Sequence, residues 1–172
     1  IQTQPEENKP PSQQTAFKLL YDNDNLYVLI RAYDTEPDKI SRIMTRRDNF
    51  MGDRVEIDID SYFDKQTAFS FTAMASGAKG DQLISQNGNY GDESWDPVWF
   101  LKTSVDETGW CAEMKIPLSQ LRFGKKEEQI WGIEVTRHIF RNEERSRWQF
   151  IPKGAPGFVH LFGELHGIKN IR

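Results

Sequence analysis

Polar and hydrophobic residues alternate along most of this chain. In "RVEIDIDSY" Val55, Ile57 and Ile59 take one side, and Glu56, Asp58 and Asp60 take the other. A period of two marks a strand with one buried face. "AFSFTAMASG" repeats the pattern, with Phe69, Phe71 and Ala73 set against Ser70, Thr72 and Met74. "WCAEMKIP" places Trp110, Ala112, Met114 and Ile116 together. "WGIEVTRHIF" does the same with Trp131, Ile133 and Val135, and Arg137 falls in that same register. "TAFKLLYD" and "LYVLIRAYD", joined by the turn cluster "DNDN", predict a hairpin. "RWQFIP" and "LFGELHGI" read as two further strands.

Helical signals are short. "DKISRIMTRR" after Pro37 predicts a turn or two within residues 37–48, and "PLSQLRF" predicts one turn within 117–123. Roughly seven to ten strands separated by polar turns predict an all-β fold, an antiparallel, jelly-roll-like β-sandwich with one or two short helical turns. Residues 1–14, polar and Pro-rich, read as a linker or a tail lying on the domain, and residues 15–172 as one domain.

With 172 residues the chain is long enough for one real core. The net charge of -4 argues against a nucleic-acid partner, which calls for a basic patch. The basic runs "RRDNFMGDR" and "RNEERSR" are interrupted by acids, as on a solvated face. No stretch reaches the ~20 apolar residues of a membrane helix, so no direct membrane insertion by this domain is expected. The opening carries no signal-peptide pattern and no initiator Met, as expected of a fragment or a processed chain. Cys111 is alone, which leaves no internal disulfide and no cysteine-based metal site.

Catalytic motifs are missing. His138, His160 and His166 are the histidines, and no nucleophile-elbow pattern surrounds a serine. Among 26 acidic residues some pair will always face, so paired carboxylates say little about glycoside hydrolysis. There is no Gly-rich phosphate loop and no HExxH. "DIDSYFD" brings Asp58, Asp60 and Asp64 to a strand end, where oxygen ligands suit calcium; the alternative is an acidic solvated turn. Trp110, Trp131 and Trp148 sit in strand patterns and are expected in the core, and Trp99 is expected to pack as well. Trp95, in the polar loop "NGNYGDESW", is either a stacking platform for a sugar or a lid over the sandwich end.

Several segments carry a family likeness: "VLIRAYDTEP", "RRDNFMGDRVEIDIDSYFD", "GWCAEMKIPLSQLRFG", "WGIEVTRHIFRNEERSRW" and "LFGELHGI". Over roughly residues 15–168 the chain resembles the family-9 carbohydrate-binding module, within the DOMON-like β-sandwich superfamily. "RRDNF", "WDPVW", "IPLSQLRF" and "RNEERSRW" look like a subgroup found in Bacteroidetes-type cell-envelope proteins, where the module precedes an outer-membrane barrel. The resemblance implies a non-catalytic glycan-binding module outside the cytoplasm. Its partners would be an oligo- or polysaccharide and the C-terminal remainder of a parent protein.

In sugar-binding members two tryptophans sandwich a terminal ring. Their positions fall here on Phe50 and on Pro156, with Phe158 nearby. Glu56 matches an acid that contacts sugar hydroxyls, and Ser70 stands where the family carries an arginine. The implied site therefore joins stacking by Phe50 and Phe158, and by Trp95 if it is a platform, to hydrogen bonds from Glu56, Arg46, Arg47 and Asp48. Two alternatives stay open. One is a docking domain that binds no sugar. The other is a haem-binding electron-transfer domain, for which His138 with Met74 or Met44 is the available axial pair.

Overall fold

The computed structural model describes residues 1–171. Twelve strands are described: β1 (Gln2–Gln4), β2 (Thr15–Tyr21), β3 (Asn25–Tyr33), β4 (Arg54–Asp60), β5 (Ala68–Met74), β6 (Lys79–Ser85), β7 (Tyr90–Asp92), β8 (Phe100–Asp106), β9 (Gly109–Pro117), β10 (Glu128–Ile139), β11 (Glu144–Arg147) and β12 (Gly163–Lys169). They form two antiparallel sheets. The larger runs β1-β11-β10-β4-β5-β6-β7 with β12 also on β10, and the smaller runs β2-β3-β9-β8.

The alternation sets the core. Val55, Ile57 and Ile59 of β4, Phe71 and Ala73 of β5, and Trp131 and Ile133 of β10 face inward from the larger sheet. Leu26, Val28, Ile30 and Ala32 of β3 meet them from the smaller sheet, with Trp110, Ala112, Met114 and Ile116 of β9. Arg137 keeps the inward register and is 1% exposed. Its Nη1 donates to the carbonyls of Tyr33 at 2.7 Å and Gln14 at 2.9 Å. Its charge faces Asp34 at 3.6 Å, which also takes a two-pronged pair from Arg141 at 2.8 and 2.9 Å. The core thus ends on a buried arginine that faces an anion, which offsets part of the cost of burying it, while its Nε and Nη2 make no hydrogen bond among the described residues.

The turn predicted within 37–48 is present as a 3-10 turn, Pro37–Lys39, followed by irregular chain. An isolated short helix is marginal in water, and the irregular chain is held by backbone bonds, with Asp48 N donating to Lys79 O of β6 and Asp53 N to Ser41 O. Two expectations are corrected. The strand predicted at "RWQFIP" stops at Arg147. β10 offers one edge to β4, and its other edge is divided between β11 at Thr136–Ile139 and β12 at Glu128–Ile133, so nothing is left for residues beyond Trp148. Trp148, expected in the core, is therefore 42% exposed and meets Phe17 edge-on at 5.4 Å.

The first fourteen residues lie on the domain. β1 pairs with β11, Ser12 N donates to Glu144 Oε1 at 2.9 Å, and Lys153 N donates to Glu7 Oε1 at 2.6 Å.

Candidate functional site

The face of the larger sheet turned away from the core carries polar residues in register. Arg145, His138, Arg54 and Met74 form one row across β11, β10, β4 and β5. Arg147, Thr136, Glu56, Thr72 and Gly80 form the next, reaching β6. Glu134, Asp58, Ser70 and Gln82 form the third. An outward face of a sandwich is normally wet. This one is not: Asp58, Ser70, Thr72, Glu134 and Thr136 are all buried, none above 2% exposed.

Two loops give it cover. Residues 40–53 lay Phe50 against Gly80, where any Cβ would meet the ring at 2.4 Å. Residues 148–162 cross the other end. There Phe158 lies against Gly88, Gln149 N donates to Glu134 Oε1, and Phe158 N donates to Asn87 O. The loops enclose a polar floor whose hydrogen bonds are incomplete. Among the described residues Asp58 Oδ1, Ser70 Oγ, Glu134 Oε2, Thr136 Oγ1, and Nε and Nη1 of Arg147 have no partner. Each orphaned buried group costs on the order of 1–3 kcal/mol, and their gathering on one face sets the floor apart from the rest of the fold.

The electrostatics follow from burial. Burial pushes the Asp58 carboxyl well above its ordinary range, and the negative charge of Glu56 adds to the push. Ser70 favours the Asp58 charge slightly, although the geometry leaves Ser70 Oγ and Asp58 Oδ1 unbonded. Burial raises Glu134 to about 7, against the pull of the Gln149 and Val135 N–H groups and the charge of Arg147. Burial, then Arg54, Arg145 and Arg147, holds His138 far below the usual imidazole range. The ring is neutral, and its Nδ1 accepts from Arg54 Nη2 at 3.2 Å. The floor thus holds two acids that burial pushes toward the neutral form and a neutral imidazole beside charged guanidiniums, a surface of donors and acceptors with no nucleophile–base pair among its described residues.

The structure gathers some of the expected site residues and sends others elsewhere. Phe50, Glu56 and Phe158 all belong to this face. Glu56 accepts from Thr72 Oγ1 at 3.3 Å. The Arg54 guanidinium stands 5.8 Å over the Phe50 ring, and that of Arg147 stands 5.3 Å over the Phe158 ring. Arg47 is committed to Asp81 and Asp96, both at 2.6 Å, and to the Pro97 carbonyl at 3.2 Å. Asp48 Oδ1 accepts the Asp81 N–H at 3.0 Å. These two residues pin the loop to β6. Arg46 lies exposed on that loop and offers its carbonyl to Asn49 N. Trp95 is half-buried against Phe69 at 5.1 Å and Phe71 at 5.6 Å, the position of a lid over the sandwich end. Trp99 is 1% exposed and donates from Nε1 to Asp81 Oδ2 at 2.9 Å.

Asp58, Asp60 and Asp64 do not converge. Asp58 belongs to the floor. Asp60 accepts the N–H groups of Asp64 and Lys65, and Asp64 those of Gln66 and Thr67. Among the described residues no three His, Cys, Asp or Glu side chains gather as a metal site. The residues also fit a haem poorly. His138 and Met74 share a row, but Arg54 stands between them, and Met44 is 78% exposed.

Sequence reasoning missed Arg54, Thr72, Glu134, Thr136, Arg145 and Arg147. All but Arg145 and Arg147 lie at outward positions of strands that were read correctly, and only their enclosure distinguishes them from solvent-facing polar residues. Ser70, standing where the family resemblance places an arginine, has the charge of Arg147 acting on its cross-strand neighbour Asp58.

Residues 2–154 match the family described as carbohydrate family 9 binding domain-like. The chain belongs to this family. The match takes in most of the tail and the strands from β1 to β11. Among solved structures, a family 9 carbohydrate-binding module from Caldicellulosiruptor kristjanssonii in complex with glucose is 21% identical, with a TM-score of 0.66 over 92% of this chain and 78% of that one. The same organism's module in complex with cellotriose is 21% identical, with a TM-score of 0.62 over 92% and 77%. A candidate carbohydrate-binding protein from Bacteroides uniformis is 15% identical, with a TM-score of 0.69 over 90% and 78%. At these identities the likeness of this family 9-like domain to each is one of fold. No curated protein matches the chain.

Proposed function

We propose that this family 9-like domain is a non-catalytic module that binds a saccharide on the enclosed outer face of its larger sheet. The observation that carries the reading is the polar floor: five neighbouring side chains keep buried hydrogen-bonding atoms without partners. A sugar is dense in hydroxyls that both donate and accept, so it satisfies mixed orphans of this kind better than a simple ion does. Phe50 and Phe158 bring aromatic surface to the ends of the floor. The complexes of the related modules with glucose and cellotriose support the same ligand class. No group on the floor is arranged as a nucleophile with its base, which supports binding without chemistry.

Family membership and the envelope-type motifs support a place outside the cytoplasm, as part of a longer parent chain with a glycan-handling role. No helix among the described residues is long and apolar enough to cross a membrane.

One observation favours docking without sugar. A guanidinium already lies over each of the two phenyl rings. A sugar must then stack on the opposite side of each ring or displace the arginine. A glycan array with this chain, followed by titration calorimetry of the hits, separates the readings. Saccharide binding that Phe50→Ala weakens by about 1–3 kcal/mol, the range for loss of one aromatic stacking contact, supports the module. Absence of any glycan ligand, together with binding to the remainder of the parent protein, supports docking.

A further inference from the structure

The floor is not electrically even. Where the Phe158 loop meets β11 it opens into a cavity of about 210 Å³ whose lining includes Arg145, Arg147, Lys153, Asn89, Thr3 and Phe158. No Asp or Glu lines it. The chain as a whole carries a net charge of -4, so the positive sign here runs against the molecule.

The charge also has little compensation within the fold. Nε and Nη1 of Arg147 are shielded from water and have no partner. Asp58 and Glu134, the acids its charge reaches, are both pushed toward the neutral form by burial. Glu56 serves Arg54 and Arg145 together. Arg145 donates from Nε to a neutral group, Thr3 Oγ1, at 3.0 Å. Of the other groups at the cavity, Lys153 sends Nζ to the Pro5 carbonyl at 3.2 Å, and its backbone N–H takes the nearby Glu7 carboxylate. The Arg147 guanidinium is held over the Phe158 ring at 5.3 Å, an arrangement that fixes the group while consuming none of its N–H donors.

A guanidinium donates charge-assisted hydrogen bonds to the oxygens of a carboxylate or a sulfate, and these are about twice as strong as neutral ones. The cavity is smaller than the ~300–1,000 Å³ that drug-sized ligands occupy, so it suits one substituted sugar unit. We propose that this cavity takes the acidic group of a charged saccharide, a uronic carboxylate or a sulfate ester, with Arg147 and Arg145 as its receptors. The inference rests on the glycan reading and narrows its substrate class.

The test is titration calorimetry of this chain with a matched set of ligands: a neutral oligosaccharide, its uronate counterpart, its sulfated counterpart, and inorganic sulfate. At low salt at least one acidic oligosaccharide should bind about tenfold or more tighter than the neutral one. The advantage should shrink as salt is raised, and Arg147→Gln should abolish it. Preference for the uronate or for the sulfated sugar identifies which oxyanion is meant. Parity between neutral and acidic sugars, or an advantage that ignores salt, overturns the inference and leaves the module intact. Inorganic sulfate binding as tightly as the sulfated sugar overturns it too, because the anion alone would then be the ligand. If no saccharide in the set binds, the module reading falls and this inference with it. Should Arg147→Gln fail to fold, the salt series on the unaltered chain still decides.

Discussion

Replacing Glu134 by glutamine should stabilise the domain, increasingly so as pH rises from about 4.5 to about 7. Glu134 is 0% exposed. Its Oε1 accepts the N–H of Val135 at 2.9 Å and of Gln149 at 3.0 Å, while Oε2 has no partner. Burial lifts its pKa from 4.5 to about 7. Between those values the folded chain holds a proton that the unfolded chain has released, so stability falls as pH rises through that window. At ~1.4 kcal/mol for each pH unit of the gap, the loss is on the order of 3 kcal/mol. In Glu134→Gln the amide oxygen keeps both backbone bonds and nothing ionises. The amide nitrogen also places donors beside Asp58, the cross-strand partner. Loss of the Glu134 charge further relieves the pressure on Asp58, which acts in the same direction. Denaturant unfolding at about pH 5 and about pH 8 measures the difference between the two proteins. The variant should lie within about 1 kcal/mol of the parent at the lower pH and exceed it by up to about 3 kcal/mol at the higher. Equal destabilisation at both pH values would show that Glu134 is held as a satisfied anion, and would refute the account of the floor.

Two further outcomes follow from packing and pairing. Trp110→Ala removes a 0%-exposed ring from the meeting of the two sheets, and denaturant unfolding should show a loss of roughly 3–5 kcal/mol; a loss below ~1 kcal/mol would mean the core collapses around the gap. Asp34→Ala leaves Arg137, 1% exposed, without its anion, a change that breaks a buried pair and should cost about 3–5 kcal/mol. Burial opposes the ionisation of Asp34, but Arg141, the Glu36 N–H and the charge of Arg137 together outweigh it and hold the carboxyl below its ordinary value. The stabilisation from this group is therefore complete above the ordinary carboxylate range and lost as pH falls through the lowered value. An Asp34→Ala variant whose stability responds to acid as the parent's does would refute this pairing.

Periodicity alone determined the sandwich. A period of two over β4, β5, β9 and β10 assigns each residue to a face, since a strand that buries one side has no freedom in which side it is. Even Arg137, out of character among Trp131, Ile133 and Val135, was placed inward by register and is found inward. Pairing order was not legible. Local pattern says nothing about which strand edge is free, and the division of one β10 edge between β11 and β12 is what ended the strand before Trp148 and turned that ring outward. The same limit applied to the site. Phe50, Glu56 and Phe158 follow from a family likeness, while the hold of Arg47 and Asp48 on β6 was not legible, because their partner Asp81 lies more than thirty residues away along the chain. Glu134, Thr136, Ser70 and Thr72 read in the sequence as the wet side of alternating strands. Only the loops over them, folded back from distant parts of the chain, exclude the water, and that exclusion turns ordinary polar residues into a buried floor with incomplete hydrogen bonds.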